Sequence, residues 1–233
     1  MIRNVVMIGA AGTLGRKLLS EFGKDNLILF DRNDIEELPE HCSLIRGNAE
    51  DIKDMQVLCN YIKEQEIKID VLLYLAGIYR RGTVEELSLK DWQESIDTNI
   101  TGLFITLKLL MDSLNTSGKI IAVASQFGIV GAYESAAYCA TKAAMINLIR
   151  AVALDYGSKK IQANCVCPGF FDSPFLQYVE SGTRKKREWM SVTSMLPMSR
   201  VSIDDIVNAI KMLSINNSIT GQCIVIDGGY TSR

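Results

Sequence analysis

The chain has 233 residues, of which 48% are hydrophobic and 22% are charged, and its formal net charge is −2. This is the composition of an ordinary globular protein, and the length suits one large domain or two small ones. The nearly balanced charge gives no electrostatic footprint for nucleic acid, and no apolar run reaches membrane-spanning length. We therefore expect neither nucleic acid nor a membrane as a partner.

The cysteines and the single histidine indicate the cellular compartment and limit the possible catalytic and metal-binding chemistry. None of the six cysteines forms a Cys-x-x-Cys pair, and they lie in apolar stretches, where reduced cysteine acts as a small hydrophobe. The start of the chain does not resemble a signal peptide, so we predict a cytoplasmic protein with free thiols. His41 is the only histidine, so a histidine-rich metal site is excluded and we expect no metal. An enzyme of this sequence would draw its acid/base group from another residue type.

Apolar runs of strand length alternate with helical patterns along the chain. The runs are NVVMI, NLILF, CSLI, DVLLYL, KIIAVA, IQANCVC and QCIVI. The helical patterns begin near Thr13, Asp51, Ser88, Ser135, Pro174 and Ser202, and residues 34–38 allow only a turn of helix. Near-continuous apolar strands separated by helices indicate a parallel sheet, and right-handed crossovers make it doubly wound. We predict one α/β domain over 1–233, a Rossmann-type sheet of about seven strands with helices on both faces.

One segment, 174–197, interrupts this alternation. It carries aromatic residues, a glycine and a basic run at 184–188 between two prolines, and it follows a strand end. Ligands bind at such strand ends, so the segment is predicted to be a substrate-binding flap, with an ordinary surface excursion as the alternative. The basic run suits an anionic substrate, although a solvated helix face is the favoured interpretation. Some aromatic residues line a pocket or belong to the core, and the sequence leaves this open: Phe170, Phe171, Phe175, Tyr178 and Trp189.

A glycine-rich turn, GAAGTLG, follows the first strand and leads into a helix through Thr13 and Leu14. Gly9 permits the tight turn, Gly12 lets the backbone approach a pyrophosphate, and Gly15 allows the helix to pack closely on the strand. The N-terminus of the helix favours the negative charge of the phosphates. This context predicts a dinucleotide site.

The end of the second strand indicates which dinucleotide is bound. Asp31 closes this strand, and an acid at that position accepts both ribose hydroxyls of the adenosine half and repels a 2′-phosphate. Arg32 follows directly and is able to pair with the phosphate of NADP instead. We predict NAD as the preferred cofactor, with NADP as the alternative.

Tyr138 and Lys142, in AAYCATKAAM, are candidates for acid/base chemistry. Residues four apart share a helix face, and a nearby ammonium is expected to lower the pKa of a phenol from its ordinary value of about 10. Such a shift brings the phenol closer to the pH at which it would work. Ser125 ends a strand thirteen residues before Tyr138.

A second Tyr-x-x-x-Lys pair, Tyr156 and Lys160, lacks this context. Ala143 instead of serine lies thirteen residues before Tyr156, and Gly157 is a poor residue for continuing a helix. We interpret Tyr156 as a solvated tyrosine near a helix end.

Together, Asn99, Ser125, Tyr138 and Lys142 resemble the catalytic tetrad of the short-chain dehydrogenase/reductase superfamily, in its short single-domain branch. The motifs GAAGTLG, LAG, NCVCPGFFDSP and ITGQCIVIDGG extend the resemblance over nearly the whole chain. The resemblance implies an NAD(P)-dependent dehydrogenase or reductase that transfers hydride between nicotinamide and a small alcohol or carbonyl substrate. It also implies a homotetramer or homodimer whose interface includes the helices of residues 88–114 and 135–156.

The resemblance implies a role for each tetrad residue. Tyr138 is expected to act as general acid/base on the substrate oxygen, and Ser125 to hold that oxygen. Lys142 is expected to tune the phenol and to bind the nicotinamide ribose, and Asn99 to anchor a water that links Lys142 to solvent. Contacts to the adenine, the cofactor cleft and the nicotinamide carboxamide are expected, in turn, from Asn48 and Ala49, from Ala76 and Gly77, and from Pro168, Gly169 and Ser173.

The sequence departs from the family pattern in several places. Its glycines are spaced Gly-x-x-Gly-x-x-Gly, which is commoner in the sugar-nucleotide epimerase and dehydratase branch, and Asn48 stands where an aspartate is typical. Tyr74 and Leu75 replace two asparagines, so polar groups that support the central strands are expected to be lost. A short epimerase or dehydratase with tightly bound NAD is therefore one alternative, and a non-catalytic dinucleotide-binding protein is another. The chain is too short for the C-terminal substrate domain of the epimerase branch.

Overall fold

The computed structural model describes residues 2–173 and 200–232. The predicted flap at 174–197, with its basic run and its three aromatic residues Phe175, Tyr178 and Trp189, lies outside the described residues.

Within the described ranges, seven strands form one parallel sheet. They are β1 (Asn4–Ile8), β2 (Asn26–Asp31), β3 (Cys42–Arg46), β4 (Ile69–Tyr74), β5 (Leu114–Val123), β6 (Gln162–Pro168) and β7 (Cys223–Ile226). Their order is β3-β2-β1-β4-β5-β6-β7, and each neighbouring pair is parallel. The chain runs outward from β1 in one direction and then from β4 in the other. This strand order confirms the predicted fold class. Doubly wound sheets bind ligands at this switch point, so the candidate site is expected there.

The helices begin close to where the sequence predicts them. They are α1 (Thr13–Glu21), α2 (Ile52–Glu64), α3 (Leu89–Ile96), α4 (Gly102–Leu110), α5 (Ala136–Asp155) and α6 (Ile203–Ile215). Asp51, Ser88 and Ser202 cap α2, α3 and α6 by accepting backbone N–H bonds with their side chains. Residues 34–38 contain no helical turn, so the link from β2 to β3 is made by bends.

Hydrophobic side chains cover both faces of the sheet. Successive residues of β1 point to opposite faces, so Val6 and Ile8 join one core cluster and Val5 and Met7 join the other. The first cluster contains residues of α2, α4 and α5, and the second contains residues of α1 and α6. The helices therefore lie on both sides of the sheet, as predicted. Leu103, Leu107 and Leu110 of α4 are buried in the first cluster, so these side chains pack on the sheet.

Helix α5 combines length with apolar composition. By these two criteria alone it is long and apolar enough to cross a membrane, and it is the one such helix among the described residues. Half of its apolar window is buried inside the protein, because α5 packs on the sheet and carries Met145 and Ile149 into the first core cluster. The sequence analysis expected no apolar run of membrane-spanning length and did not single out this helix. Its apolar residues pack in the hydrophobic core.

Candidate active site

Two adjoining cavities open at the carboxyl ends of the central strands. The first, of about 230 Å³, is lined by residues that include Gly9, Gly12, Asp31, Arg32, Asn48, Ala49, Ala76 and Gly77. The second, of about 350 Å³, is lined by residues that include Gly9, Gly12, Thr13, Leu14, Gly15, Gly77, Ser125, Tyr138, Lys142, Pro168, Gly169 and Ser173. These two sets contain every predicted site residue except Asn99, which is buried beneath the cleft.

In the glycine-rich turn, Gly9 and Gly15 are packed against neighbouring backbone, whereas Gly12 has free space beside it. Gly9 has a φ of +86°, and a Cβ there would lie 2.5 Å from the backbone nitrogen of Ala76. A Cβ at Gly15 would lie 2.3 Å from the carbonyl oxygen of Ala10, so α1 packs closely on the turn. At Gly12 the nearest atom is 3.6 Å away, and this residue is the N-cap of α1, with no side-chain cap. The first N–H groups of α1 therefore stay available to a phosphate, and the turn fits a dinucleotide.

Asp31 is held at the end of β2. Its carboxylate accepts hydrogen bonds from the backbone N–H of Ala11 at 2.9 Å and from that of Asn33 at 2.9 Å. These bonds fix a negative charge beside the glycine-rich turn. Arg32 is exposed and lines the same cavity. The structure thus brings both residues that bear on the choice of dinucleotide to one place.

Asn99 lies in a π-helical turn, Asp97–Thr101, between α3 and α4. Its amide nitrogen donates to the carbonyl oxygen of Ile78 at 2.9 Å and to the hydroxyl of Thr141 at 3.0 Å. Its amide oxygen accepts from the N–H of Ile78 at 2.7 Å. Asn99 therefore clamps the backbone after β4 onto α5. A Cβ at Gly77 would lie 3.3 Å from Lys142 Nζ and 3.4 Å from Asn99 Oδ1, so both side chains flank this glycine.

Tyr74 restores polar support at the position where the sequence suggests a loss. Its side chain is fully buried, and its hydroxyl donates to the carbonyl oxygen of Thr98 in the π-helical turn at 2.8 Å. Gly102 makes room for it, since a Cβ there would lie 2.6 Å from the phenol oxygen. The expectation that Tyr74 removes a supporting group is therefore wrong. The long side chain reaches past the strand and holds the turn that carries Asn99.

Tyr138, Lys142 and Ser125 meet at the floor of the second cavity. All three are buried, and they line the cavity together. Ser125 accepts a hydrogen bond from the N–H of Phe127 at 3.2 Å, which orients it at the end of β5. Lys142 Nζ donates to the carbonyl oxygen of Val123 at 2.8 Å and lies 5.7 Å from the centre of the Tyr138 ring.

Burial is the largest influence on the pKa values of Tyr138 and Lys142. It raises the pKa of the Tyr138 phenol, an effect that the neighbouring Ser125 hydroxyl partly opposes. It also lowers the pKa of Lys142 to about 8. The prediction that Lys142 brings the pKa of Tyr138 below its ordinary value is therefore wrong for the protein alone. Its ammonium is bound to a backbone carbonyl, and desolvation of the phenol is the stronger effect.

Aromatic residues pack around Tyr138, beside the second cavity. Tyr79 meets the Tyr138 ring edge to face with centroids 5.1 Å apart, and its hydroxyl is hydrogen-bonded to Ser135 at 2.7 Å. Phe127, Phe170 and Tyr230 pack against one another with centroid distances of 5.6 to 5.9 Å. Phe170 and Phe171 both line the cavity and also pack against clusters of buried residues, so they belong to the pocket and to the core.

Sequence reasoning missed Tyr79 and Gln126. Gln126 lines the second cavity directly after Ser125, and a polar residue at an otherwise apolar strand end was an available signal. For Tyr79 the sequence offered no comparable signal, because its contact with α5 is made only by folding. In the part of the chain that the structure describes, Tyr156, Lys160 and His41 do not line either cavity.

The chain resembles known proteins along almost its full length. A family model described as "Enoyl-(Acyl carrier protein) reductase" matches residues 29–231. "Dehydrogenase/reductase SDR family member 6" of Rattus norvegicus is 30% identical over 97% of this chain and 96% of its own length. This chain belongs to the short-chain dehydrogenase/reductase (SDR) superfamily. The "Meso-2,3-butanediol dehydrogenase" of Serratia marcescens is a further SDR relative, 29% identical over 98% of this chain and 94% of its own. The solved structure "ElxO with NADP Bound" matches 100% of both chains with a TM-score of 0.87 and 26% identity.

Membership of the SDR superfamily confirms the resemblance read from the motifs. The protein is an NAD(P)-dependent oxidoreductase that transfers hydride between nicotinamide and a small-molecule substrate. The relatives are named dehydrogenases and reductases, so they do not favour the epimerase or the non-catalytic alternative that the glycine spacing raised.

Proposed function

We propose that this SDR enzyme interconverts a small alcohol and its carbonyl compound with Tyr138 as general acid/base. The observation that carries the proposal is that Tyr138, Ser125 and Lys142 together line the floor of a cavity that continues to the glycine-rich turn. A substrate oxygen that enters this floor meets two hydroxyl groups at once. The roles of Lys142 and Asn99 follow from their position beside and beneath that pair.

The chain's own residues move the proton and hold the substrate. In reduction, Tyr138 Oη gives its proton to the carbonyl oxygen while the Ser125 hydroxyl donates a hydrogen bond to the same oxygen. In oxidation, Tyr138 takes the proton from the alcohol. Bound NAD(P) supplies the hydride acceptor or donor and, when oxidised, a positive charge at the ring. Lys142 stabilises the phenolate after the proton has left, and Asn99 holds the backbone at residues 77–78 against which Lys142 lies.

The cofactor cleft supports NAD over NADP. The Asp31 carboxylate is fixed by two backbone N–H groups, so it is preorganised to accept ribose hydroxyls and it opposes a 2′-phosphate by like charge. Arg32 is exposed beside it, and its guanidinium has to give up hydration and side-chain freedom to bind a phosphate. The rest of the cofactor cradle is formed by the glycine-rich turn, residues 48–49, residues 76–77 and the segment from Pro168 to Ser173.

Replacing Asp31 with alanine is expected to raise the ratio of kcat/KM for NADP to kcat/KM for NAD by about 100-fold. The change removes the ribose acceptor and the like charge together. The measurement is nicotinamide absorbance with a panel of alcohols and carbonyl compounds and both cofactors. Arg32→Ala is the matched control and should lower the NADP rate while leaving the NAD rate nearly unchanged. A wild-type enzyme that prefers NADP would show that the Asp31 argument is wrong.

We also propose that residues 1–233 form a single cytoplasmic domain that assembles into a homodimer or homotetramer. Phe104 on α4 is 52% exposed and Leu154 on α5 is 84% exposed, although large apolar side chains favour burial. Both lie on the helices that the family resemblance places at the interface. Light scattering of the wild-type protein is expected to give the mass of two or four chains, and Phe104→Glu with Leu154→Glu should reduce it. A wild-type mass of 25.8 kDa would contradict the proposal.

A further inference from the structure

Two cysteine thiols meet between the last two strands of the sheet. Cys167 lies near the end of β6 and Cys223 begins β7, and their sulfur atoms are 2.6 Å apart, with one thiol hydrogen-bonded to the other. Cys167 is fully buried, whereas Cys223 is partly exposed. In the described ranges 2–173 and 200–232, no group of three or more histidine, cysteine, aspartate or glutamate side chains is able to hold a metal. The pair is therefore suited to thiol–disulfide chemistry.

The two thiols differ in acidity. The hydrogen bond from Cys167 holds the pKa of the Cys223 thiol below its usual range, a shift that partial burial opposes and the charge of Arg150 supports. The same hydrogen bond, together with burial, raises the pKa of Cys167. Cys223 is thus the thiolate that meets an oxidant from solvent, and Cys167 is the protonated thiol beside it. Cysteines that sense oxidants combine these two features, an accessible thiolate and a neighbouring thiol that resolves it.

Formation of a bond between the two sulfur atoms requires a movement of the backbone. Cys165 stands opposite Cys223 in the register of β6 and β7, and Cys167 stands opposite Val225. A strand spacing of about 4.8 Å and a rise of about 3.3 Å per residue place the Cα atoms of Cys167 and Cys223 about 8 Å apart. A disulfide needs them within about 7 Å, so one strand has to shift by about 1 Å. The strand free to do so is β7, which has four residues and lies at the edge of the sheet.

A shift of β7 reaches the second cavity. The N–H of Gly169, which lines this cavity, donates to the carbonyl oxygen of Ile226 in β7 at 2.7 Å. A Cβ at Gly169 would lie 2.7 Å from the Cα of Asp227, so the two backbones are in close contact. Beyond β7, the ring of Tyr230 meets that of Phe170 with centroids 5.7 Å apart. Movement of β7 therefore displaces residues that line the cavity.

We propose that Cys167 and Cys223 are a modification site, at which hydrogen peroxide forms a reversible disulfide that weakens binding of the nicotinamide cofactor. The Cys223 thiolate attacks one peroxide oxygen, so that an S–O bond forms, the O–O bond breaks and the hydroxide released takes up a proton to become water. Cys167 then attacks the sulfur of the resulting sulfenic acid and loses its proton, and a second water leaves as the S–S bond forms. Two thiols are oxidised and one peroxide is reduced to two waters. A disulfide that strains the strands is readily reduced, which suits a transient modification.

The test measures the covalent change and the cofactor separately. Wild type is treated with hydrogen peroxide, its free thiols are alkylated after denaturation, and the intact mass is determined. Alkylated cysteines are expected to fall from six to four and to return to six after dithiothreitol. Calorimetry with NAD and NADP should give dissociation constants about 10-fold higher for the oxidised protein than for the reduced protein, because displacement of Gly169 and Phe170 costs contacts to the cofactor.

Three variants assign the bond to its residues. Cys223→Ser replaces a partly exposed side chain, so it should fold, keep the cofactor affinity of reduced wild type and no longer respond to peroxide. Cys167→Ala should likewise form no disulfide. Cys165→Ala is the matched control, since Cys165 stands opposite Cys223 in the register, and it should respond as wild type does.

Several results would overturn the proposal. Wild type that keeps six alkylated cysteines, or that gains oxygen instead of forming a disulfide, would exclude the disulfide. A disulfide that persists in Cys167→Ala would assign the bond to Cys165, and an unfolded Cys167→Ala leaves that decision to Cys165→Ala. Equal cofactor affinity of the oxidised and reduced proteins would exclude the coupling to the cleft. These measurements use no substrate, so failure of every alcohol and carbonyl compound to react would contradict the proposed function alone.

Discussion

Replacing Tyr138 with phenylalanine is expected to lower kcat by about 10²- to 10⁴-fold, the usual contribution of a general acid/base. The variant loses one oxygen atom and keeps the ring that packs against Tyr79 at a centroid distance of 5.1 Å. The fold and the cofactor cleft should therefore be preserved, and the dissociation constant of the nicotinamide cofactor should stay within about threefold. Initial rates by nicotinamide absorbance and cofactor binding by calorimetry measure the two quantities separately.

Tyr156→Phe is the matched control for this substitution. Tyr156 also stands four residues before a lysine, but it lies at the end of α5 and does not line either cavity in the described part of the chain. Its replacement should leave kcat unchanged. A Tyr138→Phe enzyme with full activity would show that the proton comes from another group, and Ser125, the other hydroxyl at the cavity floor, would be examined next.

The strands and helices follow from local sequence features. Short apolar runs with flanking turn residues marked all seven strands, and Asp51, Ser88 and Ser202 marked helix starts because each caps backbone N–H groups with its own side chain. Residues 34–38 were the weakest prediction and contain no helical turn. This stretch of five residues buries only Ile35, in the second core cluster, and so short a helix is marginal without further packing.

Many of the candidate site residues were predictable because they follow a strand end, whereas Asn99, Tyr138 and Lys142 lie in helical segments. In a parallel sheet the carboxyl ends of the strands lie at one edge, so motifs far apart in the sequence converge there. Gly9 after β1, Gly77 after β4, Ser125 after β5 and Gly169 after β6 all line the second cavity. Motif spacing therefore predicted which residues line the candidate site without giving any distances.

The physical state of the site was not predictable in the same way. The raised pKa of Tyr138 depends on how deeply the phenol is buried, and that depth is set by residues from several elements. The bond from Tyr74 to Thr98 and the unpaired amide of Gln126 are likewise products of packing. Sequence patterns record which residues are present, whereas these properties depend on what surrounds them after folding.

Lys142→Met is expected to lower kcat by about 10²- to 10³-fold and to change how stability depends on pH. The loss of activity follows from removing the charge that stabilises the phenolate. The stability effect follows from burial, which lowers the pKa of Lys142 from 10.5 in an unfolded chain to about 8 in the folded protein. Between these two pH values the unfolded state binds more protons than the folded state, so wild-type stability should rise with pH.

The variant lacks this titration, and the difference between the two proteins is therefore the informative quantity. From pH 7 to pH 10.5 the free energy of unfolding of wild type should gain about 3 kcal/mol relative to Lys142→Met. Urea unfolding across this range, with the exposed Lys108→Met as control, measures it, and the control should run parallel to wild type. Parallel curves for Lys142→Met would mean that Lys142 keeps its hydration in the folded protein. In that case the ammonium would face solvent in the cleft, and its contact with the Val123 carbonyl would not persist in solution.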